Sequence, residues 1–310
     1  MTALGSMLRK IIKYLRWVAL APIRLVHLSR DVEKLNFTIG MMLVDQQMHE
    51  VEARVPTGSL DLNRFERRIF SQGGEDGVIQ LLTRLLPIRH RTFVEFGVQD
   101  YRESNTRFLL LSGDWKGLII DGDPAAIGAI NEDPIAQRNP LAVVHQFITA
   151  ENIDELIKSR IDEQEIGLLS VDVDGNDYWI WRGITSIRPA IVIVEYNYRF
   201  GPDRSVTVPY HERFVRGRQG LPFVYYGASL TALDKLAQTK GYSLVHCCKN
   251  GNNAFFVRDD IRPECLRVLS PRQAYVPGKF REVFGPDGNL LTTRFADEVR
   301  LIDGLEVVEV

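Results

Sequence analysis

Between residues 92 and 197 the chain repeats one alternation. Continuous apolar runs, "RTFVEFGV", "KGLIIDGD", "LAVVHQFI", "IGLLSVDVD" and "PAIVIVEYN", are separated by stretches of different character. A run without a polar side suits a strand buried on both faces. Helices precede and interrupt the series. "GEDGVIQLLTRLL" carries Glu75 and Asp76 near its positive end, and "SNTRFLLLS" has Ser104 as its expected N-cap and Gly113 as its stop. "AENIDELIKSRI" and "DYWIWRGI" follow later. Strands alternating with helices require a parallel sheet covered on both faces.

The series ends differently. "ASLTALDKLAQTKGY" is a helix with Leu230, Leu233, Leu236 and Ala237 on one face; "SLVHC" and "AFFVR" then flank the turn-rich "CKNGNN", which suits a hairpin. An otherwise parallel sheet finished by a hairpin resembles the class I methyltransferases. The expected fold is therefore α/β and Rossmann-like, mostly parallel, ending in an antiparallel hairpin. The turn-rich "VPTGSLDLN" places a boundary near residue 60. This gives an N-terminal helical extension (1–60), a central domain (61–260) and a small C-terminal β extension (261–310) ending in the alternating "LIDGLEVVEV".

Charge narrows the partners. The net charge of −2 lacks the basic field that broad nucleic-acid binding needs. Three cysteines without a CxxC pair form neither a disulfide framework nor a zinc motif, and read as reduced thiols of a cytoplasmic protein. Residues 1–30 hold six Arg or Lys and no acid, which leaves −8 for the remainder. There Leu8, Ile11, Ile12, Leu15, Val18 and Ala19 recur at helical spacing among Arg9, Lys10, Lys13 and Arg16. The apolar stretches are shorter than the roughly 20 residues of a membrane span. Residues 8–28 are expected either to lie on the anionic inner face of a membrane or to pack on the chain itself or a second copy in a homodimer. Residues 31–56 read as a second helix and a candidate dimer contact, weakened by Gly40.

In an open α/β sheet, ligands gather beyond the carboxyl ends of the strands. The first strand delivers Glu95, Gly97, Gln99 and Asp100 there; the second Asp121, Gly122 and Asp123; the third His145 and Gln146. The fourth brings Asp172, Asp174, Asn176 and Asp177, and the fifth Glu195 and Asn197. So many acids make a poor cradle for a pyrophosphate, and "EFGVQD" lacks GxGxxG, which disfavours a nucleotide-linked oxidoreductase. An acid-lined pocket suits a ligand with ammonium and sulfonium charge and ribose hydroxyls, as S-adenosylmethionine (SAM) has. Asp121, 24 residues after Gly97, stands where a βαβ unit presents a carboxylate to a ribose.

The runs "SQGGEDGVIQ", "FVEFGVQDYRESNTRFLLLSGDWKGLIIDGDP", "LLSVDVDGNDYWIW", "IVIVEYN" and "YYGASLTAL" resemble, in order, the FkbM family of SAM-dependent methyltransferases, and most closely its branch found among surface-polysaccharide genes. The resemblance covers about residues 70 to 258. It implies O-methylation, often of a sugar hydroxyl on a glycan or sugar-lipid intermediate. It places Glu95, Gly97 and Asp121 in the SAM site and matches Asp174 to an acid–Gly–x–acid motif usually written with glutamates. "QDYRES" departs from the family's commoner "DG" at Asp100-Tyr101. The first 60 and last 50 residues draw no support from these motifs.

The expected cofactor contacts are Glu95, Gly97, Gln99, Asp121, Gly122 and Asp172. Strand alternation aims Asp172 with Asp174 and Glu195 with Asn197, so the four should converge. A base taking the hydroxyl proton would be Asp174 or Glu195, with His211 in "TVPYHERF" as a further base and His145 less well placed. Alternatively Asp174, Glu195 and Asn197 hold a hard divalent cation such as Mg²⁺ or Mn²⁺. Asn197 and Tyr226 are the expected acceptor contacts; Tyr226 belongs to a series with Tyr196, Tyr198, Tyr210 and Tyr225 that suits stacking on sugars or plain packing. Trp179 and Trp181 read as core or domain contacts. A scaffold with a vestigial SAM pocket is the non-enzymatic alternative.

Overall fold

The computed structural model describes residues 3–54, 59–217, 222–279, 283 and 294–310. Two compact units divide at Asp45/Gln46, not at residue 60. The first unit is the early part of α1 (Ala3–Arg54), and the second comprises residues 46–310. Where two N-terminal helices were expected, one 52-residue helix runs through. Residues 55–58 of the linker lie outside the described residues, as do the side chains of Leu8, Ile11, Ile12, Leu15, Val18 and Ala19. Among the described residues no helix is long and apolar enough to cross a membrane.

Within the second unit the chain forms α2 (Glu75–Leu85), β1 (Thr92–Phe96), α3 (Arg107–Leu111), β2 (Lys116–Asp121), α4 (Pro124–Glu132), α5 (Pro134–Arg138) and β3 (Leu141–His145). Then come α6 (Ile153–Lys158), β4 (Glu165–Val171), α7 (Asp177–Gly183), β5 (Arg188–Glu195), β6 (Val206–Thr207) and α8 (Leu230–Lys240). The chain closes with β7 (Tyr242–Cys247), β8 (Asn253–Arg258), α9 (Pro271–Ala274), α10 (Phe295–Ile302) and β9 (Val308–Glu309). The α4–α5 pair was not anticipated, although its signals are local. Asp123 and Asp133 accept the N–H of Ala125 and Ile135, and Pro124 and Pro134 occupy first-turn positions where no donor is missed. Ser229 caps α8, and Gly241 ends it in the left-handed conformation.

The main sheet has the order β3-β2-β1-β4-β5-β8-β7. Neighbours from β3 to β5 are parallel, while β8 runs antiparallel to both β5 and β7. This is the expected class I methyltransferase arrangement: a Rossmann-like sheet finished by a hairpin. Phe93, Val94, Leu168, Leu169, Ile191, Val192, Phe255 and Phe256 bury both faces of its centre, which explains why these strands read as unbroken apolar runs.

The C-terminal stretch is no separate β extension. Among its described residues, Phe295, Val299 and Ile302 have helical spacing and form α10, and the extended β9 pairs with β6. Glu298 of α10 accepts from Arg199 Nε at 2.7 Å and from the Tyr198 hydroxyl at 3.0 Å, a buried ion pair just beyond β5.

Candidate active site

Strand order reverses between β1 and β4, and the crevice of such a sheet opens at the carboxyl ends of that pair. There Gly97 turns with φ +68°, and a Cβ on it would lie 1.8 Å from the Asp172 carbonyl oxygen. The two strand exits touch backbone to backbone, which no side chain permits. Asp121, at the end of β2, accepts the Gln99 N–H at 3.0 Å on Oδ2 and the Asp123 N–H at 2.8 Å on Oδ1. Gly97, Gln99, Asp121 and Gly122 thus form one continuous rim beside the switch point. Tyr101 adopts a left-handed conformation (φ +61°), anchored by its buried ring and a 2.9 Å hydrogen bond between its hydroxyl and Thr106.

Glu95 faces inward. Its carboxylate accepts the N–H groups of Asn105 and Thr106 and the Thr106 hydroxyl, so it pins the loop entering α3. Burial pushes it up to about 7 against those bonds, and burial likewise pushes Asp177 to about 6. In each case the folded pKa exceeds the unfolded one. The protonated group's stability contribution is fully present below the unfolded value and is lost as pH rises through the folded value. The unfolding free energy should therefore fall between about pH 4 and about pH 7, by about 3 kcal/mol from Glu95 alone. Thermal melts across that range test the sign, and a midpoint that rises with pH contradicts it; Glu95→Gln should flatten the slope.

Beyond β4 the chain makes a tight turn rather than continuing the strand. Asp174 adopts φ +54°, Gly175 follows, and Asp177 closes the turn by accepting Val173 N–H at 2.8 Å and Gly175 N–H at 3.0 Å. Carboxylate oxygens of Asp172, Asp174 and Glu195 still come within 4.8 Å of one another. This convergence does not come from strand alternation, because β4 ends at Val171 and β5 at Glu195. Burial first, then the neighbouring carboxylates, raise Asp172 and Glu195 well above the usual carboxyl range. Glu195 Oε1 lies 3.4 Å from the Tyr226 hydroxyl, and its buried Oε2 has no hydrogen-bond partner.

Asn197 lies past the strand and has another task. Its amide nitrogen donates to the Val224 and Tyr226 carbonyls, and its oxygen accepts the Arg199 N–H. The amide therefore fastens the segment carrying Tyr226 instead of joining the carboxylates, and Asp172 stands in the group where Asn197 was expected. His211 also differs from expectation. Its ring is exposed, with Nδ1 accepting the Arg213 N–H, and only its carbonyl reaches the turn, through Asn176 Nδ2 at 2.9 Å. His145 is exposed beside the Gly122 carbonyl. The hydroxyls of Tyr196, Tyr198, Tyr210 and Tyr225 are bound to Val276, Glu298, Glu151 and Glu306 respectively, so of the five tyrosines Tyr226 is the one facing the acids. Trp181 is core, while Trp179 donates to the Val208 carbonyl.

Sequence reading missed Arg216. Its Nη1 lies 2.9 Å from Asp174 Oδ1, its Nε donates to the Phe223 carbonyl, and its guanidinium stands 3.7 Å from the centre of the Tyr226 ring. This fixed cation lowers the pKa of both Asp172 and Glu195 against the larger raising effects. No local pattern in "FVRGRQG" announces it. A second group, drawn from "SQGGED" and the hairpin turn, lies next to β5. Asn253 pairs in register with Glu195 and donates to Glu75, while Asn252 donates to Gln72. A groove of about 540 Å³ lies at the opposite edge, by the strand starts Thr92 and Lys116. Its Lys116 and Arg91 already pair with Glu163 and Asp114, away from all these groups.

No family model matches the chain, and no curated protein matches it. Among solved structures it is similar to the N-terminal domain of EvdMO1 with SAH bound, at 10% identity over 62% of this chain and 83% of that one, with a TM-score of 0.41. It is also similar to an S-adenosylmethionine-dependent methyltransferase from Clostridium acetobutylicum ATCC 824 (9% identity, 69% and 98% covered, TM-score 0.38). A third similarity is to an O-methyltransferase from Bacillus cereus in complex with SAH (12% identity, 52% and 69% covered, TM-score 0.31). At such scores and identities the likeness carries no statement about what this chain does.

Proposed function

We propose that this protein is a SAM-dependent O-methyltransferase acting on a sugar hydroxyl. The observation that carries the reading is the buried Glu195 Oε2, a carboxylate oxygen without a hydrogen-bond partner, grouped with Asp172 and Asp174 beside the β1–β4 switch point. SAM supplies an electrophilic methyl group on a cationic sulfur. The rim of Gly97, Gln99 and Asp121 is where it would bind, with the Asp121 carboxylate toward the ribose. Glu195 then takes the proton of the acceptor hydroxyl as the new C–O bond forms and the C–S electron pair stays on sulfur. Arg216 holds Asp174 in place and keeps part of the cluster ionised. Tyr226 walls the acceptor side, and the exposed Asp174 faces solvent at its mouth.

The sugar class of the acceptor rests on the FkbM resemblance, supported by the aromatic and carboxylate lining. Titration calorimetry separates this reading from its rivals. SAM should bind while NAD⁺ gives no heat, and labelled SAM should lose its methyl group to a sugar or sugar-lipid acceptor. Asp121→Ala should weaken SAM by about 10- to 100-fold, the range for a hydrogen bond to a charged group. Silence with SAM ends the proposal; binding without turnover over a broad acceptor set returns the scaffold reading.

A further inference from the structure

The first compact unit exposes a regular apolar stripe. Leu25, Leu28, Val32, Leu35, Ile39 and Met42 are each between 46% and 67% exposed, and their spacing is 3, 4, 3, 4 and 3. An amphipathic helix lying on a membrane or a globular core shows a wide apolar face; a narrow stripe of period 3.5 is the seam of a coiled coil. We infer that residues 25–42 form a parallel, two-stranded coiled coil with the same segment of a second copy of this chain.

The residue types select this occupant. Taking Leu25, Val32 and Ile39 as a positions leaves Leu28, Leu35 and Met42 at d. The β-branched Val32 and Ile39 at a combined with Leu28 and Leu35 at d favour two parallel strands over three or four. The flanks permit the pairing too. With both strands parallel and in register, each g residue meets the partner's next e residue: Arg24 meets Ser29, Asp31 meets Asn36, and Thr38 meets Leu43. No like charges are opposed. The interval 25–42 contains Arg30 and Lys34 against Asp31 and Glu33, so it has no net charge with which to seek an anionic lipid surface. The basic residues at 9–16 lie outside it. Over 17 residue steps the seam is about 26 Å long, enough to interlock six side chains from each strand.

Sedimentation of the full chain should give twice 35.3 kDa, and Val32→Asp with Leu35→Asp should return it to the single-chain mass. The replaced side chains are exposed, so the thermal midpoint of the second unit, followed in the same samples, should hold within a few degrees. Leu28→Cys tests direction. In a parallel pair it faces its own copy and cross-links on mild oxidation, whereas in an antiparallel pair it faces residue 39, about 16 Å from its counterpart and beyond disulfide reach. The native Cys247 and Cys248 are buried, and Cys265 is controlled by the unsubstituted chain. A single-chain mass for the unmodified protein, a trimer, or a dimer that survives the double substitution overturns the inference. So does sedimentation with anionic vesicles that the double substitution abolishes while the mass stays that of one chain.

Discussion

Glu195→Gln should lower methyl transfer by about two to four orders of magnitude, the span of a lost general base, while SAM binds within about twofold of its original affinity. The amide keeps the shape of the carboxyl group, and its Oε1 can keep the contact with the Tyr226 hydroxyl. What disappears is an acceptor for the hydroxyl proton at the partnerless Oε2. The pH profile separates this from simple damage. Burial and Asp172 raise the Glu195 pKa, so kcat/KM should climb with pH as the cluster ionises, with an apparent pKa belonging to the coupled carboxylates together. The variant should lose that climb. Asp174→Asn should lose turnover as well, because it removes the charge that pairs with Arg216 and that helps raise the pKa of Asp172 and Glu195. Unchanged turnover in both variants removes the cluster from catalysis. Because Asp172, Asp174 and Glu195 also have the hard oxygen atoms that Mg²⁺ or Mn²⁺ prefers, a chelator series belongs beside these assays. Turnover that survives chelation upholds the base; turnover lost to EDTA and restored by either ion reassigns the group to metal binding.

Gly97→Ala should be the most destabilising single substitution at the site. Its Cβ would stand 1.8 Å from the Asp172 carbonyl oxygen, and neither partner can swing aside because both are main chain at strand exits. The left-handed backbone adds about 1–2 kcal/mol for a residue with a side chain. Forcing β1 and β4 apart adds to this, for a total above about 4 kcal/mol, in the range of exceptional point substitutions. At 2–4 °C per kcal/mol the thermal midpoint should drop by about 8 °C or more. SAM binding should vanish with it, since the same displacement moves Gln99 off Asp121. A midpoint within about 2 °C of the original would mean that the strand exits do not meet as described.

The sheet was legible because burial on both faces leaves unbroken apolar runs, and the hairpin because "CKNGNN" is a turn in any context. The carboxyl-edge rule then named Gly97, Asp121, Asp172, Asp174 and Glu195 without tertiary information. The α4–α5 pair was missed despite its Asp-Pro caps, since attention to apolar runs passes over a short helical crossover. At the N-terminus one helix of 52 residues spans what reads as two, with Pro22 and Gly40 inside it.

Local sequence determined the elements, their order and which residues leave the strand ends, because propensity, capping and alternation act over a few neighbours. Tertiary structure alone decided which of those residues share a site. Arg216 reaches Asp174 across 42 positions and Asn197 holds Val224 and Tyr226 across 27 and 29. Glu195 is buried with its Oε2 lacking a hydrogen-bond partner because chain far from it in sequence closed over it. Burial and charge proximity are properties of the packed chain, and no window of a dozen residues contains them.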